Sequence, residues 1–374
     1  YTTPNPGINR IIYGYDALDR ITNITNPDNT KKSINYDHWI ISIYDENNHR
    51  KTYYIDAYSN TYNVLEHNQQ NIYNTSYKYN TSNELIQIKD SQNNTFNFTY
   101  DLLGRRTKII DPDLGSWTYT YDNIGNLIQQ IDNRNNITIF SYDELNRAIN
   151  KNHTLLENVT YVYDKEKNNT VSQISSNSLT LKFSYDDRLR KIGEIKTIDS
   201  LNFIANWTYD ASNRITSIKF PDSTTTTYSY NLQGELSSIS SILNNLHYNE
   251  KSQTTSRNYS NSLNTSFTYN TSNFRLNQIR TGSIQDLNYT YDGIGNVIQI
   301  GDLINSRIET MTYDDLDRLL SSIKRPYSGS NIFNFTYGYN SIGNIMNLTS
   351  NGLPRTFSYG TSPVHAPNRI VDNT

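Results

Sequence analysis

The chain repeats itself. Residues 98–133 read FTYDLLGRRTKIIDPDLGSWTYTYDNIGNLIQQIDN, so nearly the same phrase starts at Tyr100-Asp101 and again, 21 residues later, at Tyr121-Asp122. A period this short is one supersecondary unit, which buries a face only by stacking on its neighbours. With the Tyr of each Tyr-Asp or Tyr-Asn pair as the mark, the series runs Tyr15, Tyr36, Tyr79, Tyr100, Tyr121, Tyr142, Tyr163, Tyr185, Tyr209, Tyr230, Tyr248, Tyr269, Tyr291, Tyr313 and Tyr339, mostly in steps of 21 or 22. A degenerate copy, Ile55-Asp56-Ala57-Tyr58-Ser59-Asn60, fills the gap after Tyr36, and Tyr359 opens an altered last one.

Each unit reads as strand, turn, strand. Stretches such as Phe96-Asn97-Phe98-Thr99-Tyr100 and Trp117-Thr118-Tyr119-Thr120-Tyr121 alternate aromatic and polar residues at the period of a pleated strand. The following Asp (Asp101, Asp122, Asp210, Asp292, Asp314) can accept backbone N–H groups just ahead of it and close an Asx-type turn. Four residues after the Tyr stand Gly104, Gly125, Gly234, Gly295 and Gly343, or Asp19, Asn146, Asn213 and Asp317. These residue types tolerate positive φ, so the slot is expected in the left-handed region of a hairpin turn. Return strands such as Leu127-Ile128-Gln129-Gln130 follow, and second turns such as Asp111-Pro112-Asp113 or Phe220-Pro221-Asp222 lead onward. The expected fold is all-β: tandem hairpins in one continuous antiparallel sheet of thirty-odd strands, wound into a spiral shell or tube, with residues 1–374 as a single repeat region.

Composition agrees. Only 35% of the 374 residues are hydrophobic, yet 32 are Tyr and the net charge is −3, so the chain is neither disordered nor built on a thick aliphatic core. Tyr in place of Phe is expected to stack across strands with its hydroxyl left in water. Charge is spread evenly, which leaves no electrostatic footprint for nucleic acid. No apolar run is long enough to span a membrane. Cysteine is absent, which removes disulfides and thiolate sites. The first residue is Tyr rather than Met, which reads as a processed product or an internal piece of a longer polypeptide.

The best copies, YDLLGRRTKI at 100, YDNIGNLIQQ at 121, YDGIGNVIQI at 291 and YNSIGNIMNL at 339, share the pattern Y-D-x-x-G-[NR]-[LV]-x-x-[IV]. It resembles the YD repeat of Rhs-type proteins, teneurins and the shell components of insecticidal toxin complexes. The resemblance covers nearly the whole chain and implies a sheet that spirals around a hollow, which in bacterial toxins holds a cargo domain. Residues Tyr359 to Ala366 resemble a variant repeat of long family members. Nothing in the chain matches the Asp-Pro- and Gly-rich core of the family's toxins, so self-cleavage is not carried over.

Catalytic motifs are missing: no nucleophile elbow, P-loop or dinucleotide fingerprint occurs. The six His residues, His38, His49, His67, His153, His247 and His365, never pair at metal-ligand spacing and are expected in solvated loops. Asp314-Asp315-Leu316-Asp317 has the look of cation ligands but sits where a turn is due. No catalytic residue, cofactor or metal is expected.

Sixteen Asn residues begin an N-x-[ST] acceptor sequence, where composition alone yields roughly ten. Register adds more. Asn97, Asn206 and Asn288 lie three residues before a marker Tyr, and Asn74, Asn158, Asn264 and Asn334 lie five before it, so each falls on the face opposite the aromatics. With Asn23 and Asn347 they form the candidate glycosylation set; outward strand positions that simply favour Asn and Thr are the bland alternative, and Asn136 breaks the rule.

Three functions fit. The first is a glycosylated extracellular structural protein, secreted or at a cell surface, of archaeal or eukaryotic type, serving as a filament or sheath. The second is a toxin-delivery shell around a cargo peptide. The third is a teneurin-like or carbohydrate-binding adhesion module. Open sheet edges, blunted only locally at Pro4, Pro6, Pro354, Pro363 and Pro367, are expected to continue into further repeats or a neighbouring subunit.

Overall fold

A computed structural model describes residues 10–372. Thirty-four strands, from Ile12–Tyr15 to Pro367–Asp372, make an all-β fold of antiparallel strands in one sheet that does not close. By contacts the chain groups into two compact units. Unit 1 comprises the chain up to Phe98, Ile110–Asp113 and the chain from Thr265 onward; unit 2 comprises Thr99–Ile109 and Leu114–Asn264. Pro4 and Pro6 lie outside the described residues.

One hairpin of unit 2 shows the design. Strand Gly115–Tyr121 pairs with Leu127–Ile131; Thr120 faces Gln129 but Tyr121 faces Leu127, which leaves Ile128 as the extra residue of a β-bulge. The same slip recurs at Tyr142, Tyr163, Tyr209, Tyr291, Tyr313 and Tyr339. Bulges bend and twist a strand, so a bend enters at a fixed place in each such unit. In the turn, Asp122 Oδ1 accepts the N–H groups of Ile124 (3.1 Å) and Asn126 (2.8 Å), and Gly125 takes φ 102°. Gly104, Gly234, Gly295 and Gly343 are at φ 75°, 89°, 118° and 92°, and Asn146, Asn213 and Asp317 at φ 62°, 64° and 63°.

Buried apolar residues are few: Val64, Leu243 and Val364 among the described residues. Cohesion comes from the repeat itself. The marker Tyr hydroxyl is not left to water as the sequence reading had it; it donates to a backbone carbonyl of the preceding hairpin's return strand. Tyr142 reaches Leu127 O at 2.7 Å, Tyr163 reaches Ala148 O at 2.9 Å, Tyr209 reaches Lys191 O at 2.7 Å and Tyr313 reaches Val297 O at 2.9 Å. The acceptor is in each case the residue that pairs with the previous marker Tyr next to its bulge, and a phenol is the length that reaches it. Where Arg follows the left-handed residue, it closes a second clamp. Arg147 pairs with Asp143 in its own turn at 2.7 Å and lies over the ring of the next marker, Tyr163, at 4.4 Å. Arg105 over Tyr121, Arg190 over Tyr209, Arg214 over Tyr230 and Arg318 over Tyr339 repeat the arrangement.

Two readings of the early copies need correction. Tyr36 keeps its place under Arg20, at 4.3 Å, but Asp37 closes no repeat turn: it faces Ile40 across a two-residue hairpin, with His38 at φ 53°. The pair Tyr44-Asp45, passed over in the series, does close one, with Asp45 Oδ1 accepting Asn47 N–H (2.9 Å) and His49 N–H (2.8 Å).

Candidate functional site

In unit 1 the chain returns to lie beside its own beginning. Turns of the first segment meet turns whose partners stand 245 to 252 residues later, and the contacts follow a common grammar. Asn47 donates its amide to Asp292 Oδ2 (3.0 Å) and accepts the Gly293 N–H (2.9 Å). Asn68 does the same one hairpin on, donating to Asp314 Oδ2 (3.1 Å) and accepting the Asp315 N–H (3.2 Å). Gln69 N–H donates to Asp315 Oδ2 at 2.7 Å. At one end of this seam Asn273 donates to Asp28 Oδ2 at 3.0 Å; at the other, Asp113 takes the His365 N–H at 2.9 Å and its Nδ1 at 2.6 Å. The repeat's Asp thus has two roles. Its Oδ1 closes the turn, and its Oδ2 offers a docking point to another pass of the chain.

Burial raises the Asp314 carboxyl, but hydrogen bonds from the Arg318 side chain and backbone outweigh it and hold the group below the usual aspartate range. Asp292 behaves alike: burial pushes up, and the Gly295 N–H and the Asn47 amide pull it down further. Asp317 goes the other way. Burial lifts it, and the charges of Asp45 and Asp292 add to the lift against the Asn296 hydrogen bond.

The expectation of six solvated loop histidines does not hold for His49 and His67, both half-buried, and His67, His153 and His247 lie in strands; His365 is exposed. His365 is tied to Asp113. The His49 ring is mostly buried, with Nδ1 at 3.2 Å from Asp45 Oδ2 and 3.8 Å from Asp317 Oδ1, and Nε2 at 3.7 Å from Asp315 Oδ1. Turn chemistry explains Asp314 and the left-handed backbone of Asp317, but not why the Asp315 and Asp317 carboxylates face this imidazole. Sequence spacing missed the cluster because its members come from turns 45–49 and 314–318, far apart in the chain.

Of the glycosylation candidates, Asn74, Asn158, Asn206, Asn264 and Asn347 are exposed, while Asn23, Asn97, Asn288 and Asn334 are half-buried. Asn97 Oδ1 accepts Gln87 Nε2 at 2.8 Å across the ladder, and Asn264 donates to Asn258. Asn23 and Asn347 fold over Gly14 and Gly338, where a Cβ would come within 2.2 and 2.4 Å of the amide. Asn136, the exception in register, is held in a turn by Asp132 (2.8 Å).

The fold and the seam define a class: a tandem β-hairpin repeat protein whose successive passes dock turn on turn. The RHS Repeat family matches residues 79–114 and 209–241. The chain carries RHS repeats in those two segments. No curated protein matches it in sequence. Among solved structures it is similar to TcdB2-TccC3, with TM-score 0.87 and 16% identity over 97% of this chain and 23% of that one. TcdB2-TccC3-Cdc42 gives TM-score 0.85, 16% identity and 97% and 23% coverage. The Photorhabdus luminescens Tc holotoxin pore with a TccC3 mutation gives 0.86, 16%, 97% and 22%. The chain therefore spans less than a quarter of the length of the chains it resembles.

Proposed function

We propose that this chain is a stretch of the wall of an Rhs-type shell that encloses a cargo polypeptide, in a protein exported as a toxin component. The observation that carries the reading is the seam: in unit 1 the sheet returns beside itself and docks turn to turn through Asn47, Asn68 and His365, as the wall of a shell requires. The likeness to TcdB2-TccC3 assemblies and a Tc holotoxin pore supports the toxin setting over the filament or sheath, and bacterial neighbours lend nothing to an archaeal or eukaryotic source. No helix of the described residues is long and apolar enough to cross a membrane. A wall needs no catalytic group, and none is assigned here.

The test is protection. In the native protein, the polypeptide enclosed by this wall resists a protease that rapidly cleaves the same polypeptide when free; cleavage at equal rates sinks the reading. A sugar coat is a separate proposal resting on the exposed Asn74, Asn158, Asn206, Asn264 and Asn347, and glycopeptides from native material that carry no sugar at any of the five would remove it.

A further inference from the structure

Along the seam, the carboxylates of Asp292, Asp314 and Asp113 each meet a donor from the facing pass. At one place the pattern breaks. His49 Nδ1 is sealed from solvent and makes no hydrogen bond, although Asp45 Oδ2 stands 3.2 Å away and Asp317 Oδ1 3.8 Å away. All three atoms lie within 4.8 Å of one another. Two carboxylates from different passes thus converge on one imidazole nitrogen, and Asp317 Oδ1 also accepts from Asn296 at 3.1 Å.

We propose that Asp45, His49 and Asp317 form a divalent-cation site of the zinc class that staples the two passes of unit 1 together. Ligand atoms about 2.0–2.2 Å from a tetrahedral zinc stand roughly 3.3–3.6 Å apart, so the observed separations close on an ion with sub-ångström movement of the side chains. The carboxylate of Asp315 lies on the Nε2 side of the ring. A metal held at Nδ1 takes that lone pair and leaves the ring proton on Nε2, on the Asp315 side. Two carboxylates balance the charge of the ion. Imidazole with carboxylate suits zinc and its neighbours better than calcium, which takes six to eight oxygens. Three protein ligands leave a fourth position for water. The proposal is independent of what the wall encloses.

The experiment uses the full chain, stripped with a chelator and then equilibrated with zinc ion alone near neutral pH. The expected result is about one retained zinc per chain and a higher melting midpoint with zinc than without. Asp317→Asn keeps the turn, since Asn146 and Asn213 occupy the same slot at φ 62° and 64°. It should weaken zinc binding by at least about tenfold, the lower end of what loss of a mere supporting partner costs. His49→Gln should do the same, while Asp187→Asn, a 97% exposed side chain in unit 2, should not. Wild-type protein that retains no zinc, zinc that leaves the melting midpoint unchanged, or zinc bound equally by Asp317→Asn and His49→Gln would each overturn the proposal.

Discussion

The same turn lives in two settings. In unit 2 the side chains of Asp143, Asp186 and Asp210 are 22%, 21% and 22% exposed; in unit 1 that of Asp314 is 3% exposed. Their own bonds are alike, with an Arg four residues on at 2.6 to 2.7 Å in every case. What differs is Asn68, which covers Asp314 from the other pass. The comparison teaches that the YD turn has the same bonds with or without docking, and that docking adds a second donor to an Oδ2 the turn's own side chain already holds.

Five substitutions and one change of pH sharpen that contrast. Gly295→Val should have the largest effect, about 3 kcal/mol, because a β-branched residue is forced to positive φ and its Cβ also meets the Arg275 guanidinium at 3.3 Å. Gly125→Val in unit 2 meets nothing within 4 Å and should cost nearer 1–2 kcal/mol, from backbone strain alone. Denaturant midpoints of the two variants give the difference; equal losses would show that strain dominates both.

Asn68→Ala comes next. It removes one of the donors on Asp314 Oδ2, which keeps Arg318, and takes the Asn68 acceptor from the Asp315 N–H, a loss of about 1–2 kcal/mol. Hydrogen exchange should rise in the hairpin of strands Arg307–Tyr313 and Leu319–Pro326 and stay unchanged around Asp210. Uniform change across both units would mean that Asn68 acts on the whole fold rather than on the seam.

Tyr142→Phe and Tyr313→Phe should cost alike, about 1 kcal/mol each, since this clamp joins neighbouring hairpins in both units. A clear excess at Tyr313 would tie the hydroxyl to docking after all. The smallest effect near neutrality is that of acid. Asp292 and Asp314 have folded-state pKa values below the ordinary aspartate value of about 3.9, so their contribution is complete above that value and fades as pH falls through the folded one. Seam exchange rates, corrected for intrinsic chemistry, should therefore hold from pH 7 to about 5; loosening within that range would contradict these directions.

Much of the fold was legible in the residues. Local chemistry, the Asp that caps a turn and the Gly or Asn that accepts positive φ, fixes the hairpin wherever Tyr-Asp is followed by a residue of that kind. Tyr36-Asp37 fails because His38 takes the left-handed position too early and tightens the loop. The hydroxyl clamp was not legible, since the carbonyl it uses belongs to the neighbouring hairpin, next to a bulge that alternation does not reveal. The seam was still further out of reach. Asn47 and Asp292 meet because many small bends accumulate between them, and no local pattern encodes their sum. Asn47 and Asn68, like His49, look in sequence like any other polar turn residue.

The return of the chain beside its own start is the claim on which the wall, the seam and the metal staple all rest. The chain has no cysteine, so Gln69→Cys with Asp315→Cys gives a clean pair of spin-label sites. Electron–electron dipolar spectroscopy of the full chain should place the two labels at the short limit of the method, because Gln69 N–H and the Asp315 carboxylate are in contact. A distance on the order of 100 Å, the span of a sheet of that many strands laid flat, would contradict it.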